Sequence, residues 1–456
     1  MAIQSKNELL PKEAAPGNIN YQRWLFGAGF LVLLAYTAVS LLIEPAESYI
    51  SSLLLLLGFG GFFWMGHQLR VSPPMWMFVA AIAIALLSWM LAHAHHPEWA
   101  ENSPKVHRLT IWLQFIAVAW LLGGSTRRTL ILWGTFALSL LFVPWVTGNG
   151  IGEWISGFKG QRIDFGMLNA QHTALLYAIA FMGMIAFSHR FLKPGKAHTL
   201  RIVLWATGLT IYGAATVITQ TRGVWLGCLA AAAVFAAAFI VWMVRISPSS
   251  AEKRRLTGAL VVAIGVASLA VMSLNDIVEA RINAESNIID KLLSDEPYDG
   301  KSSSINYRIA SWSAALPWIK ERPIIGWGGN GRKLVLDHSE QLPSWIQSRT
   351  GHLHSSYMDI LVNFGLLGLG LFLTILIWTT VSGIKAWKHG HLPGDILVFY
   401  LAFIAFWLVV NTFESFMFYS TGQYIFGLML GGIVTHIWRA QLETSREKDN
   451  TLLAIK

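Results

Sequence analysis

The sequence predicts an all-α polytopic membrane protein with about twelve transmembrane helices and one large loop on the outer face between the ninth and tenth. Three observations carry that reading. First, 54% of the 456 residues are hydrophobic and only 13% are charged, with a mean hydropathy of +0.50. A soluble domain of this length cannot hide so much apolar surface, whereas a bilayer solvates it. Second, apolar runs close to the ~20 residues that span a hydrocarbon core recur along the chain. Third, Lys and Arg are dense in alternate connecting segments and sparse in the others.

The chain divides accordingly. Residues 1–23 are polar and mixed in charge. No small-residue cleavage site ends the first apolar run, so they read as a cytoplasmic tail and not as a removed signal sequence. Residues 24–274 hold nine spans: Trp24–Ile43, Ile50–Gly66, Pro74–His93, Leu109–Gly123, Leu130–Val146, Ala170–Phe187, Ile202–Thr219, Val224–Val244 and Leu256–Leu274. Residues 275–355 form the large loop. Residues 356–438 add Ser356–Val381, Ile396–Val410 and Gly422–Trp438, and 439–456 are a second cytoplasmic tail. An even number of spans puts both termini on one side. Arg127, Arg128, Arg190, Lys193, Lys196, Arg201, Lys253, Arg254, Arg255, Lys385 and Lys388 fall on the side of the termini. The short opposite loops hold only Lys105, Arg108, Lys159, Arg162 and Arg222, so the termini are expected in the cytoplasm.

The formal charge of +9 follows this topology and does not call for nucleic acid. Cys228 is the single cysteine and lies inside an apolar run, which excludes a disulfide framework and a cysteine metal site.

Within the large loop, Ile305, Ile309, Trp312 and Ile319 recur at helical spacing. They predict an amphipathic helix over Ser304–Lys320, bent at Pro317 and lying on the membrane or the spans. The stretch from Gly326 to Gly331 matches GxGxxG by letter. Without a βαβ context it is not a dinucleotide site, and what remains is a backbone turn able to approach a ligand or another helix closely.

Titratable residues gather at the loop's end and at span edges. His352 and His354 open the tenth span in GHLHSSYMDILVNFGLLGLG. An HxH pair can ligate metal, but no third ligand stands nearby in the sequence, so no metal is expected. His338, in a polar loop context, is a weaker candidate. Arg222 sits at the edge of the eighth span, where it must snorkel, pair or bind an anion. Arg162 and Arg308 add guanidiniums on the same side; if the three converge, they make a clamp for pyrophosphate oxygens. Glu414 and Asp359, at span ends, read as helix caps or as partners of these arginines. Gly427 and Gly431 form GxxxG, a close-packing signal within the bundle.

Three motifs resemble the O-antigen ligase and polymerase superfamily of bacterial membrane glycosyltransferases. His354-Ser355, nine residues and then Gly365-Leu-Leu-Gly368 resembles the ligases' H[NSQ]x9Gxx[GTY] signature. Arg222-Gly-Val-Trp-Leu226 resembles their Rx3L element, and Arg308–Gly328 is similar to the segment leading from the outer loop to the histidine. The likeness spans roughly Arg162 to Leu371.

It implies transfer of a glycan from undecaprenyl pyrophosphate, in the ligases to a sugar hydroxyl of lipid A–core at the periplasmic face of the inner membrane, with no cofactor. On that resemblance His354 matches the essential histidine, and Arg222 and Arg308 match the functional arginines. Arg162 resembles an arginine of the outer loop before the sixth span, and His352 a less firmly functional partner. Ser355 stands where asparagine is frequent. An O-antigen polymerase and a protein O-oligosaccharyltransferase share the donor chemistry. A lipid-linked-sugar flippase or transporter would also have many spans, but it should carry charges near the bilayer midplane.

Overall fold

The computed structural model describes residues 16–245, 249–251, 253–255, 257, 258, 261, 265, 304–340, 342 and 351–455. The expected ninth span, Leu256–Leu274, and much of the large loop lie outside the described residues.

The described chain is helical throughout. In order come α1 (Pro16–Val39), α2 (Glu44–Met65), α3 (Pro73–His95), α4 (His107–Thr110), α5 (Phe115–Leu122) and α6 (Thr126–Val146). Then follow α7 (Ile151–Phe158), α8 (Ala170–Ala186), α9 (Ser188–Leu192), α10 (His198–Ile218) and α11 (Arg222–Arg245). After the loop come α12 (Ser304–Glu321), α13 (Gly331–His338), α14 (Ser356–Lys388), α15 (Gly394–Phe413) and α16 (Ser420–Ile455).

Among the described residues eight helices are long and apolar enough to cross a membrane, and Trp24–Val39, His107–Leu122 and Ala170–Ala186 are shorter apolar helices. Each coincides with one of the expected spans outside 256–274. The fourth is short for a physical reason. A 3-10 turn at Ile111–Leu113 breaks it, and every residue of α5 is buried. It is a core helix packed among α1, α2 and α16, with no lipid-facing surface to extend. The GxxxG of α16 is what admits it. A Cβ at Gly427 would stand 2.8 Å from Gln114 Cγ, and one at Gly431 would stand 2.4 Å from Val118 Cγ1.

Polar pairs mark the two ends of the bundle. At one end Arg190 forks onto Asp395, with Nη2 2.9 Å from Oδ1, and Arg439 and His391 both meet Glu443, at 2.9 and 2.7 Å. At the other end lie His352, His354 and the link between α15 and α16.

That second end is braced by a backbone seam. α14 is interrupted at Gly365, whose φ of 58° and ψ of −155° leave the helical region. The freed groups are satisfied by the turn after α12: Trp327 N–H donates to Val362 O (2.9 Å) and Gly328 N–H to Asn363 O (2.8 Å), while Leu366 N–H donates to Pro323 O (2.8 Å) and Leu367 N–H to Ile324 O (3.0 Å). Ser88 Oγ of α3 donates to Ile325 O at 2.6 Å and accepts from Gly328 N–H at 2.9 Å. Two backbones touch here, so two glycines are required. A Cβ at Gly326 would stand 2.5 Å from the Asn363 carbonyl carbon, and one at Gly365 2.4 Å from that of Ile324. The glycine-rich turn therefore approaches a helix, as its composition suggested.

α12 forms where expected and contains Pro317, and Trp312 and Ile319 of its expected apolar face pack partly buried against the neighbouring cluster. Tyr307, Ser311, Ala314 and Ala315 are buried, whereas Ile309 is 42% exposed. Small residues on the buried face let α12 settle onto α13 and α14, and Tyr307 reaches the histidine loop.

The seam makes a sharp expectation. Gly365→Ala forces a Cβ into a backbone at a positive φ and should cost on the order of 3 kcal/mol. Gly60→Ala, with nothing within 4 Å of the new Cβ, should leave the melting midpoint in detergent nearly unchanged. Equal midpoints for the two variants would remove the seam from the account.

Candidate active site

The loop 351–355 carries both histidines across the end of the bundle. Its backbone is held on every side. His352 O accepts from Tyr307 Oη at 2.8 Å, and Leu353 O accepts from Trp312 Nε1 at 2.8 Å. Leu353 N–H donates to the buried carboxylate of Asp359 at 3.1 Å. These contacts sustain His354 at φ 49°, a left-handed conformation that a residue with a Cβ holds only when its surroundings impose it. Ser355 then caps α14, its Oγ accepting from Met358 N–H. Serine and asparagine are near equals as caps, which accounts for serine at the motif position where asparagine is frequent.

The histidines meet a partner from far along the chain. Glu414, fully buried, follows α15 and turns its carboxylate between the two rings. His354 Nδ1 lies 3.0 Å from Oε2, His352 Nε2 lies 2.9 Å from Oε1, and Ser415 N–H donates to Oε1 at 2.8 Å. Tyr419 Oη is 2.7 Å from His352 Nδ1.

The pattern fixes the protons if both rings are neutral. Each ring donates an N–H to the carboxylate, and Tyr419 donates to His352 Nδ1. His352 Nε2 and His354 Nδ1, 3.1 Å apart, are then two donors converging on one carboxylate. His354 Nε2 keeps its lone pair. Tyr307 stands edge-on to the His354 ring at 4.8 Å and limits how it can turn.

Electrostatics support this arrangement. Burial raises the Glu414 carboxyl, but the hydrogen bonds from His352 and His354 outweigh it and hold it well below its ordinary value, and any positive charge on either ring lowers it further. Burial, reinforced by Glu414, pushes the Tyr419 phenol up to about 12, so it stays protonated and donates. His352, His354 and Glu414 also offer three ligand atoms within 4.8 Å of one another, a set able to hold a metal ion. The third ligand that the local sequence did not offer comes from Glu414.

The arginines fall into two groups. Arg308 Nη2 donates to Phe413 O at 2.9 Å, its guanidinium lies over the Phe413 ring at 5.9 Å, and its buried Nε has no partner among the described residues. Burial lowers Arg308, and Glu414 pulls it back up. Arg222 begins α11 beside the same phenylalanine, since a Cβ at Gly223 would stand 2.9 Å from Phe413 Cβ. Arg222 and Arg308 thus both border the end of α15 that carries Glu414. Arg162 stands on the exposed loop at 160–166, tied to the Arg222 turn through Gln220 Nε2, which donates to Gly160 O at 2.9 Å. His338 lies apart, stacked on Trp99 at 5.4 Å.

Sequence reasoning did not find Tyr419 or Tyr307, and it read Glu414 as a cap or an arginine's partner. One signal pointed to Glu414: it is the only Asp, Glu, Lys or Arg between Asp395 and Arg439.

The fold and this site define a polytopic membrane protein with a carboxylate-held histidine at one end of its bundle. Residues 206–373 match the family model described as O-antigen ligase, a likeness that supports the O-antigen ligase/polymerase superfamily. The matched segment contains Arg222, Arg308, His352 and His354 and ends before Glu414 and Tyr419. A search of curated proteins finds no match.

The carboxylate gives a pH expectation. A carboxyl held below its ordinary value contributes stability that is fully present above about 4.5 and is lost as pH falls through the depressed native value. Glu414→Gln should lower stability at pH 7 by roughly 1–3 kcal/mol. Its deficit in thermal melting should shrink as pH falls below about 4.5. A deficit independent of pH would show that the carboxylate's charge is not what holds the site.

Proposed function

We propose that this chain is an O-antigen ligase of lipopolysaccharide biosynthesis. It transfers O-antigen polysaccharide from undecaprenyl pyrophosphate to a sugar hydroxyl of lipid A–core, at the periplasmic face of the bacterial inner membrane, with both termini cytoplasmic. The reading rests on the family match together with one geometric observation: His354 Nδ1 is held 3.0 Å from the buried Glu414 carboxylate. That contact leaves the outer ring nitrogen free to take a proton.

The chemistry follows from these positions. His354 Nε2 removes the proton of the acceptor hydroxyl as its oxygen attacks the anomeric carbon. The bond from that carbon to the pyrophosphate oxygen breaks, and the anomeric configuration inverts. Glu414 stabilises the imidazolium that forms and fixes the tautomer that can act. His352, itself held by Tyr419, keeps the second carboxylate oxygen in place. Arg222 and Arg308 neutralise the departing pyrophosphate, and Arg162 assists from its loop. The donor's pyrophosphate bond carries the free energy, so the reaction needs neither ATP nor a metal ion.

An O-antigen polymerase or a protein O-oligosaccharyltransferase would use the same groups on another acceptor. A flippase fits less well, because the titratable cluster lies at one end of the helices and not at their middle. Cells lacking the protein separate these readings. Uncapped lipid A–core with polymer accumulating on its carrier marks a ligase, unpolymerised repeats a polymerase, and missing protein glycans an oligosaccharyltransferase.

In a transfer assay with purified protein, lipid-linked donor and lipid A–core, His354→Ala should lose 10²–10⁴-fold in turnover, roughly the contribution of a general base. Arg308→Ala should weaken donor use even with acceptor in excess. Activity should survive exhaustive chelation. Full activity in His354→Ala, or strict dependence on a divalent ion bound by His352, His354 and Glu414, would sink the mechanism.

A further inference from the structure

A second pair of guanidiniums lies by the histidine loop, at the other end of the α15–α16 link from Arg308. The link between α15 and α16 carries Glu414 and has an arginine over a phenylalanine at each end. Arg308 lies over Phe413 at 5.9 Å, and Arg332 lies over Phe418 at 5.0 Å. Arg332 Nη1 reaches Asp359 Oδ2 at 3.2 Å. The other oxygen of Asp359 accepts Leu353 N–H, one residue before His354. Arg332 is therefore joined to the histidine loop through one shared carboxylate.

Arg108, at the start of the buried fourth span, lies within electrostatic reach of Arg332, Glu101 and Asp359. Its Nε is buried and has no partner among the described residues. Three cations, Arg108, Arg332 and Lys105, thus face two acids, Asp359 with both oxygens engaged and Glu101. Lys105, 3.7 Å from Glu101 Oε2, already takes part of the other acid's charge. The excess is positive, and it is aimed at a desolvated place where like charges repel. A forked oxyanion relieves that repulsion and satisfies the orphaned N–H. The glycine turn packs directly on these cations and so brings the start of α13 to Arg108: a Cβ at Gly329 would stand 2.6 Å from Lys105 Cβ and 3.5 Å from Arg108 Cδ.

We propose that Arg108 and Arg332 form a second oxyanion subsite, on the Phe418 side of His354, which seats a phosphate or carboxylate substituent of the acceptor saccharide. The donor pyrophosphate occupies the Phe413 side with Arg222 and Arg308, so the two substrates reach the histidine from opposite flanks. The assignment to the acceptor rests on the transferase reading; the anion site itself does not.

The test is binding of a water-soluble saccharide to the full-length chain in phosphatidylcholine nanodiscs, measured calorimetrically in a His354→Ala background. The probe is the core oligosaccharide released from lipid A–core by mild acid, compared with the same material after dephosphorylation and carboxyl reduction. The charged form should bind about tenfold or more tightly, and Arg108→Gln should abolish most of that preference. Arg332→Lys, which keeps the charge facing Asp359 but loses the fork, should weaken it while the protein still melts cooperatively.

With His354 intact, Arg108→Gln should raise the acceptor KM about tenfold and leave the donor KM alone. Equal binding of the two saccharides, an unchanged preference in Arg108→Gln, or a raised donor KM would overturn the proposal. A charge preference that disappears once phosphatidylglycerol is added to the nanodisc would assign the arginines to a lipid headgroup and overturn it as well. Oxyanion-dependent binding without any transfer to lipid A–core would uphold the subsite and reject the ligase reading.

Discussion

The buried carboxylate of Glu414 is the constraint on which the rest of the site depends. An ionised carboxylate taken out of water is costly unless its lone pairs are met. Here they are met by two imidazoles and the Ser415 N–H. Each of those partners needs support of its own. His352 is held by Tyr419. His354 is held by a left-handed backbone that Tyr307, Trp312 and Asp359 pin from three directions. Ser356 closes the ring, its Oγ donating to Asn411 Oδ1 at 2.6 Å and accepting from Met417 N–H at 3.1 Å. The start of α14 and the link from α15 to α16 therefore form one polar unit.

That unit would be of little use if the outer segment moved independently of it. The backbone seam at Gly365 prevents this. Four main-chain hydrogen bonds and the Ser88 hydroxyl lock the turn after α12 into the break of α14. α12 and α13 then sit at fixed positions relative to the histidines, and with them the two arginines over Phe413 and Phe418. The seam positions cations at the end of the bundle without placing a charge inside it.

Much of the helical architecture was legible in the sequence, because hydropathy reports directly on what lipid and water tolerate. The helices at eleven of the expected spans and the close approach at Gly427 and Gly431 follow from local pattern. What was not legible is long-range. Glu414 is 60 residues from His354, and no local rule chooses an imidazole over an arginine as the partner of an acid. On α12, Trp312 and Ile319 pack against the buried cluster as their spacing suggested, while Ile309 is exposed and the deepest contacts are made by alanine, serine and Tyr307. The two motif glycines, Gly365 and Gly368, do not serve close packing between neighbouring helices alike. Gly365 instead permits the break, and a Cβ at Gly368 would meet Phe364 of its own helix at 2.5 Å.

The spacing of the histidine motif can now be given a physical meaning. His354 is followed by the Ser355 cap, and the nine intervening residues, 356–364, are the helical segment between that cap and the break at Gly365. At 1.5 Å per residue this is a ruler of about 14 Å. Its near end presents the imidazole to Glu414, and its far end receives the turn that carries α13 and Arg332. Adding one residue would turn one end against the other by about 100° and part the histidine from either its carboxylate or its seam. Asp359 and Asn363 lie one turn apart on this ruler, and they hold Arg332 by its side chain and its backbone N–H respectively. The fixed interval is thus a measured distance between a titratable ring and a charged fork, two groups that a transfer between two substrates needs to keep in register.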